Sequence, residues 1–290
     1  MRARYPDIEG HVDRHGLKLG YEVFGAANQR TVLLMPTWTI IHSRFWKMQV
    51  PYLARRYRVI TYDGPGNGRS DRVTDPARYT PGAYASDAVA VLDECGVESA
   101  VVVGMSLGAR YGTTLAAQEP HRVAGLALIG PALPLTPPSP EREAIFDSFR
   151  LPYPENVTGW GKYNLAYWHD HYADFVEFFF SQCFSEPHST KAIEDSVDWA
   201  LETNSRVLEA EENRPGPEDD WGELLTGLRC PTLVIHGTHD RIQPHERGRV
   251  AAQLSNGRLL SMEASGHIPN VRDPVKVNLA LRDFVERVAS

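Results

Sequence analysis

Three polar residues far apart in the chain have the types that nucleophilic catalysis requires. Ser106 lies in the string Gly104-Met105-Ser106-Leu107-Gly108, which follows the apolar, β-branched run 101–103. A strand, a tight turn and a helix in succession would place the Ser106 hydroxyl at the apex of the turn, where a Cβ on either flanking glycine would collide. A serine hydroxyl needs a base to become nucleophilic, and that base needs an orienting acid.

Candidates for the base and the acid lie downstream, each after an apolar run typical of a strand. Asp240 follows the run 231–236, and His267 follows the run 257–262. Because the carboxyl ends of parallel strands open on one edge of a sheet, Ser106, Asp240 and His267 can converge there. We therefore predict a triad in which Ser106 is the nucleophile, His267 carries the proton and Asp240 orients the imidazole.

Other histidines are weaker candidates for chemistry. His239 adjoins Asp240, but neighbours in sequence seldom face each other, and His236 lies within the strand, where we expect it to be buried and hydrogen-bonded. His169 and His171 stand two apart in a stretch with a helical pattern, which points them in different directions and disfavours a shared metal ion. We therefore expect no metal site and no cofactor.

These residues and the turn 62–71 resemble the α/β-hydrolase superfamily, in particular its single-domain serine hydrolases with a lid. The chain order of serine, acid and histidine is the one found in that family. The turn 62–71 matches the family pattern Asp-x-x-Gly-x-Gly-x-Ser and lacks the Lys-Ser/Thr of a phosphate-binding loop, so we expect a structural crossover. The resemblance implies an α/β fold with a mostly parallel, eight-stranded sheet flanked by helices and an inserted α-helical cap.

The resemblance also implies an oxyanion hole, and here the sequence departs from the family pattern. Family members usually have His-Gly after the strand that ends near residue 35, whereas this chain has Pro36-Thr37-Trp38. Alignment by the end of the strand gives the backbone N–H groups of Trp38 and Leu107 as the two donors. The Trp38 side chain can also form a wall of the substrate pocket or part of the core.

The pattern along the chain divides it into a core and an insertion. Apolar runs alternate with helical stretches, as in a parallel α/β sheet. The runs lie near 31–35, 57–62, 99–104, 123–130, 231–236 and 257–262, and the segment 16–25 alternates apolar and polar residues as an early antiparallel strand should. A proline-rich exit after residue 130 leads into an aromatic stretch and then a polar linker. We therefore predict an α/β-hydrolase core over 1–134 and 226–290 and a helical cap over 135–225.

A lid over the catalytic edge is where a mostly apolar substrate pocket would form. Five residues are expected to line it: Trp38, His42, Arg44, Tyr167 and Trp168. Arg44 can bind a substrate carboxylate in a bidentate manner or pair with a structural acid. Arg110, one helical turn after Ser106, can bind an anion if it faces the pocket, or it can pair at the surface or in the core.

The composition and charge of the chain argue against nucleic-acid and membrane partners. A net charge of −7 gives no cationic footprint for nucleic acid or an anionic membrane, and no apolar run approaches the ~20 residues that span a bilayer. The first residues lack the apolar segment of a secretory signal, and three widely spaced cysteines fit reduced thiols in the cytoplasm. We expect a small-molecule substrate, no nucleic-acid or membrane partner, and a cytoplasmic location; a homodimer stays open.

Together with the resemblance, these features predict a serine hydrolase that cleaves a small to medium carboxylic ester, thioester or lactone through an acyl-enzyme on Ser106. Hydrolysis of a C–C bond in a ring-cleavage-type diketone uses the same triad and stays open, as do acyltransferase and perhydrolase activities. A ligand receptor built on the hydrolase fold is the alternative without enzymatic activity. Serine at the turn disfavours the haloalkane-dehalogenase and epoxide-hydrolase branches, which have aspartate there.

Overall fold

A computed structural model describes residues 4–216 and 219–288 of the chain. Eight strands run through this part: β1 (Ile8–Arg14), β2 (Leu17–Phe24), β3 (Thr31–Leu34), β4 (Arg58–Tyr62), β5 (Ala100–Met105), β6 (Val123–Ile129), β7 (Thr232–Gly237) and β8 (Arg258–Met262). They form one sheet in the order β1-β2-β4-β3-β5-β6-β7-β8. The pairs β1–β2 and β2–β4 are antiparallel, and the remaining pairs are parallel.

Some helices pack on the faces of this sheet, and others belong to the chain between β6 and β7. The helices are α1 (Val50–Leu53), α2 (Pro81–Glu94), α3 (Leu107–Gln118), α4 (Pro140–Ser148), α5 (Leu165–Asp170), α6 (Tyr172–Cys183), α7 (Thr190–Ala200), α8 (Ser205–Glu212), α9 (Trp221–Thr226), α10 (His245–Leu254), α11 (Pro269–Arg272) and α12 (Pro274–Val288). The expected eight-stranded, mostly parallel sheet flanked by helices is confirmed. In the described ranges, no helix combines the length and the apolar character needed to cross a bilayer.

The central strands are apolar throughout because helices cover both of their faces. Every residue of β5 is buried, and alternate residues point to opposite sides of the sheet. Val101 and Val103 join the core on the face covered by α12, whereas Val102 joins the core on the face covered by α2 and α3. This double burial keeps β5 rigid up to its carboxyl end, where Ser106 follows.

The chain between β6 and β7 leaves the sheet and forms the helices α4 to α9. Aromatic side chains hold α5 and α6 together, and Trp168 and Phe175 among them are fully buried. Helix α9 packs against α3 and α10, which flank the sheet, although all but its last residue falls in the range 135–225 that we assign to the cap. The cap boundaries remain a prediction.

Candidate active site

Ser106 lies at the turn between β5 and α3, in a backbone conformation that residues other than glycine rarely adopt. Its φ is 53° and its ψ is −116°, which costs on the order of 1–3 kcal/mol for a residue with a Cβ. The neighbouring strand holds the turn in this state, since Ser106 N donates to Ile129 O at 2.9 Å and Ala132 N donates to Ser106 O at 3.1 Å. The strain therefore lies at the residue predicted to act as the nucleophile.

Two glycines allow the backbone to approach itself closely at this turn. A Cβ on Gly104 would overlap the carbonyl group of Gly108, and a Cβ on Gly108 would overlap the carbonyl oxygen of Pro36. The collisions expected at both glycines are confirmed. The contact between Gly108 and Pro36 also places the loop after β3, which carries Trp38, next to the first turn of α3.

The side chains of the three predicted triad residues meet at the carboxyl edge of the sheet. His267 Nε2 lies 3.0 Å from Ser106 Oγ, and His267 Nδ1 lies 2.8 Å from Asp240 Oδ2. Both distances are in the range of ordinary hydrogen bonds. The imidazole is 4% exposed and the Asp240 carboxylate is fully buried, whereas Ser106 is half-buried and faces a cavity. This geometry allows the imidazole to accept the hydroxyl proton.

Asp240 accepts hydrogen bonds from four donors. Its Oδ1 accepts from the backbone N–H groups of Ile242 and Gln243 at 2.7 and 2.8 Å, and its Oδ2 contacts both His267 Nδ1 and His236 Nε2. Burial alone would raise the pKa of Asp240, but the charge and hydrogen bonds of His267 and His236 outweigh burial and hold this pKa well below its usual value. Asp240 therefore remains a carboxylate that can stabilise an imidazolium ion.

His236 is the member of this cluster whose role the sequence did not reveal. It is fully buried, as expected, with Nε2 3.0 Å from Asp240 Oδ2 and 3.1 Å from Gln243 O. The four-residue spacing from Asp240 was the available signal, but only the turn geometry after β7 brings the two side chains together. His239, the direct neighbour of Asp240, is exposed.

The loop that carries His267 is held by the segment after α6. His267 N donates to Cys183 O at 2.9 Å, and Glu186 Oε1 accepts from Ser265 Oγ at 2.9 Å and from Gly266 N at 2.8 Å. Sequence reasoning missed Glu186, because it lies about eighty residues before the loop that it binds and belongs to no motif. The chain between β6 and β7 thus holds the loop that carries His267.

The backbone N–H groups of Trp38 and Leu107 are the two donors predicted for the oxyanion hole. Leu107 is the first residue of α3, where an N–H has no acceptor within the helix, and Trp38 lies in the loop after β3. Within residues 4–216 and 219–288, neither N–H donates a hydrogen bond. Both residues line the cavity onto which Ser106 opens. The described residues thus leave both predicted oxyanion-hole donors without an acceptor.

The glycine-rich turn 62–71 braces the loop that carries Trp38. Asp63 accepts hydrogen bonds from Ser43 N at 2.7 Å and from Arg69 N at 2.8 Å. Asn67 Nδ2 donates to Thr39 O at 2.7 Å, just after Trp38. The turn has the structural role that the sequence analysis expected.

A cavity of about 660 Å³ lies over Ser106, between the sheet edge and the inserted helices. Its apolar walls include Trp38, Ile41, Phe45, Phe146, Phe179 and Phe180. Charged side chains form another part of its wall: Arg110, Arg142, Arg214, Arg247, Glu211 and Glu212. The rings of Trp38, after β3, and Phe179, on α6, lie 4.5 Å apart at the apolar part of the cavity. Arg110 thus faces the cavity, one of the two alternatives that the sequence left open.

Two of the predicted pocket residues, Tyr167 and Trp168, lie outside this cavity. Trp168 is fully buried among the cap aromatics, and the Tyr167 hydroxyl donates to Asp174 Oδ2 at 2.6 Å. The expectation for both residues needs correction, because α5 directs them toward α6 and away from the cavity. Phe179 and Phe180 of α6 line the cavity instead.

His42 and Arg44 also lie outside the cavity, although they follow Trp38 closely in the chain. His42 is buried, packs against the Trp199 ring at 5.7 Å and lies 3.5 Å from Glu202 Oε2. Arg44 reaches the same carboxylate at 3.6 Å, and its side chain is 46% exposed. The expectation that they line the pocket is therefore corrected: both residues join the loop after β3 to the end of α7.

Comparisons with known proteins agree with this architecture. A family model for the alpha/beta hydrolase fold matches residues 30–274. The chain is 30% identical to the "Putative carbamate hydrolase RutD" of Caulobacter sp. (strain K31), over 94% of this chain and 97% of that protein. It is 29% identical to the pimeloyl-[acyl-carrier protein] methyl ester esterase of Aromatoleum aromaticum, over 89% of this chain and 99% of that protein.

A solved structure shows the same fold. The esterase RhEst1 from Rhodococcus sp. ECU1013 superposes with a TM-score of 0.76 at 24% identity, covering 97% of this chain and 98% of that one. The match of the family model spans most of the sequence, including the segments that carry Ser106, Asp240 and His267. The chain therefore belongs to the α/β hydrolase family and is an enzyme of that family.

Proposed function

We propose that this hydrolase cleaves carboxylic esters, thioesters or lactones through an acyl-enzyme on Ser106. The observation that carries the proposal is the hydrogen-bonded series from Ser106 Oγ through His267 to Asp240, with distances of 3.0 and 2.8 Å. A strained nucleophile, a base in contact with it and a buried carboxylate behind the base are the parts that serine acyl transfer requires.

The reaction proceeds in two halves through the same residues. His267 Nε2 takes the proton of Ser106 Oγ while the oxygen attacks the carbonyl carbon, and Asp240 stabilises the imidazolium. The N–H groups of Trp38 and Leu107 bind the oxyanion. His267 then protonates the leaving group, the C–O or C–S bond breaks, and the acyl group remains on Ser106. Water, deprotonated by His267, attacks the ester, and the acid leaves as Ser106 regains its proton.

The cavity and the relatives both support acyl transfer to water. The walls of the cavity beside Ser106 are largely apolar. A water-poor site strengthens each hydrogen bond to the oxyanion. Two relatives bear the names of a carbamate hydrolase and a methyl ester esterase. In a carbamate and in a methyl ester, the bond that is hydrolysed joins a carbonyl carbon to a heteroatom. These names favour an ester-type substrate over the C–C bond of a diketone. We also propose that 135–225 is the cap over this cavity.

A substrate panel tests the proposal. Purified protein is assayed with p-nitrophenyl esters of increasing chain length, lactones and a vinylogous diketone, beside the variants Ser106→Ala, His267→Ala and Asp240→Asn. We expect ester or lactone hydrolysis by the wild type, a loss of roughly 10⁴-fold or more in kcat for the first two variants, and a smaller loss for Asp240→Asn. Undiminished hydrolysis by Ser106→Ala would exclude the acyl-enzyme.

Other outcomes of the same panel identify the alternatives. Turnover of the diketone without ester hydrolysis would assign the protein to the C–C hydrolases. Turnover only in the presence of an acceptor alcohol or hydrogen peroxide would indicate an acyltransferase or a perhydrolase. Saturable binding without turnover of any substrate would indicate a receptor on the hydrolase fold.

A further inference from the structure

Two arginines, Arg142 and Arg247, form a cationic end of the cavity onto which Ser106 opens. Arg142 comes from α4, within the segment proposed as the cap, and Arg247 comes from α10, after β7. The Arg247 side chain is buried, and the Arg142 side chain is half-buried. Among the described residues, neither guanidinium forms an ion pair with a carboxylate. This is unusual for buried arginine, because an unpaired charge away from water is costly.

The contacts of both guanidinium groups fix their positions without neutralising their charge. Arg247 Nε and Nη2 donate to Thr136 O at 3.1 and 2.8 Å, and its Nη1 donates to the side-chain oxygen of Gln243. Arg142 donates through Nη1 to Ile242 O, while its Nε is buried and has no hydrogen-bond partner in the described chain. Both groups keep N–H donors for a further acceptor, because carbonyl and amide oxygens occupy only some of them.

The nearby acidic residues do not balance these charges. Burial raises the pKa of Glu211 to about 7, so this carboxyl group is partly neutral near pH 7. Glu212 accepts a hydrogen bond from the Tyr163 hydroxyl at 3.1 Å. Burial and the neighbouring Arg142 and Arg110 lower the pKa of Arg247 to about 10, which still leaves it charged at neutral pH. Four arginines line this part of the wall against these two carboxyl groups, so it is positive.

We propose that Arg142 and Arg247 bind a carboxylate of the substrate, so that the enzyme acts on anionic esters, thioesters or lactones whose carboxylate lies away from the scissile bond. The proposal rests on the hydrolase function proposed for Ser106. A planar carboxylate matches the fork of N–H groups that a guanidinium presents, and burial strengthens such charge-assisted hydrogen bonds. The apolar wall at Phe179 and Phe180 would contact the chain between the two ends of the substrate.

A matched pair of substrates tests this inference. The two are p-nitrophenyl hydrogen adipate, which has a free carboxylate, and the p-nitrophenyl ester of adipic acid monoamide, which has a neutral group of the same shape. We expect wild-type kcat/KM to be at least about tenfold higher for the carboxylate ester, and Arg142→Gln or Arg247→Gln to lower this ratio by about tenfold, toward one. The preference should also weaken as salt is added.

Arg249→Gln is the matched control on α10. Arg249 is exposed, pairs with Glu246 and does not line the cavity, so its loss should leave the ratio unchanged. Because Arg247 is buried, thermal melting establishes whether its variant is folded, and the half-buried Arg142 provides the second variant. A wild-type ratio near one, or an equal loss for both esters in the arginine variants, would overturn the anion site and leave the hydrolase proposal intact.

Binding to Ser106→Ala separates the two proposals. By calorimetry, monomethyl adipate should bind Ser106→Ala at least about tenfold more tightly than dimethyl adipate, and a second change, Arg142→Gln, should remove that difference. If the wild type hydrolyses neither nitrophenyl ester but this preference is found, the anion site stands and the hydrolase proposal fails. Equal binding of the two adipates would overturn the anion site.

Discussion

His236 and His267 share one oxygen of Asp240, and this shared contact is the main addition to the triad. His236 Nε2 lies 3.0 Å from Asp240 Oδ2, and both side chains are fully buried. His236 donates a hydrogen bond to this carboxylate and so fixes the orientation of Asp240, without touching the substrate. His236 is therefore a positioning residue, and its loss should change how Asp240 holds the protonated base.

A pair of substitutions at His236 tests this role. In His236→Leu the carboxylate of Asp240 loses a donor, becomes more basic and attracts the protonated imidazole more strongly. We expect kcat to fall about tenfold and the acidic limb of the kcat/KM profile to move about half a pH unit upward. His236→Gln, which keeps an N–H donor, should restore the profile, and the exposed His239→Gln serves as control. A lower kcat with an unshifted profile would indicate a packing role alone.

Glu211 makes the stability of the protein depend on pH. Burial raises its pKa from 4.5 to about 7, so between these pH values the folded state binds more protons than the unfolded state. The free energy of unfolding therefore falls as the pH rises through this window, by about 3 kcal/mol in total. Above pH 7 the folded protein carries the full cost of a buried carboxylate.

Glu211→Gln removes that cost. At pH 8 we expect the variant to have a free energy of unfolding about 2–3 kcal/mol above that of the wild type, and at pH 4.5 we expect little difference. Urea denaturation at both pH values measures this. Glu209→Gln on the same helix is the control, because the Glu209 side chain is 37% exposed and contacts His169. If the free energy of unfolding changed between pH 4.5 and pH 8 by the same amount in the wild type and in Glu211→Gln, Glu211 would not be the source of the pH dependence.

At the scale of the elements, the turn between β5 and α3 depends on contacts that only glycine permits. A Cβ on Gly104 would meet the backbone carbonyl of Gly108, which cannot move without opening the turn. We therefore expect Gly104→Ala to lower the free energy of unfolding by roughly 3 kcal/mol or more, together with loss of activity. Chemical denaturation and ester hydrolysis measure the two effects.

Gly112→Ala is the matched control, further along α3. There a Cβ would lie 3.1 Å from Leu126 Cδ1 and 3.4 Å from Val102 Cγ1, and both are ends of side chains that can shift. Alanine also favours the helix by ~1 kcal/mol, so the net change should stay within about 1 kcal/mol. If the two variants were equally stable, the close backbone approach would not be what requires Gly104.

The sequence allowed most of the sheet to be predicted, and the exception has a physical reason. β3 to β7 are apolar because they are buried, so their residues reveal them. The first strand, Ile8–Arg14, was missed because it is an edge strand whose residues are mostly exposed and polar. It pairs with β2 through its backbone, and backbone pairing leaves little trace in residue types.

At the scale of the whole molecule, the positions of the strand ends were enough to predict that the three triad residues would meet. The residues that line the pocket could not be predicted in this way, because they depend on helix packing. Trp168 and Phe179 belong to the same aromatic stretch, yet one is buried in the cap and the other lines the cavity. Helix orientation decides between these outcomes. Likewise Arg142 and Arg247 are distant in the chain, and a net charge of −7 gives no sign of a cationic cavity wall.

One measurement tests most directly whether Ser106 is an activated nucleophile. Intact protein is treated with a fluorophosphonate, and the adduct is located by mass spectrometry of the digested protein. We expect a single adduct on the peptide that contains Ser106, no adduct in Ser106→Ala, and much slower labelling of His267→Ala, since the base activates the hydroxyl. An unlabelled wild type, or equal labelling of wild type and Ser106→Ala, would contradict the assignment of Ser106 as the nucleophile.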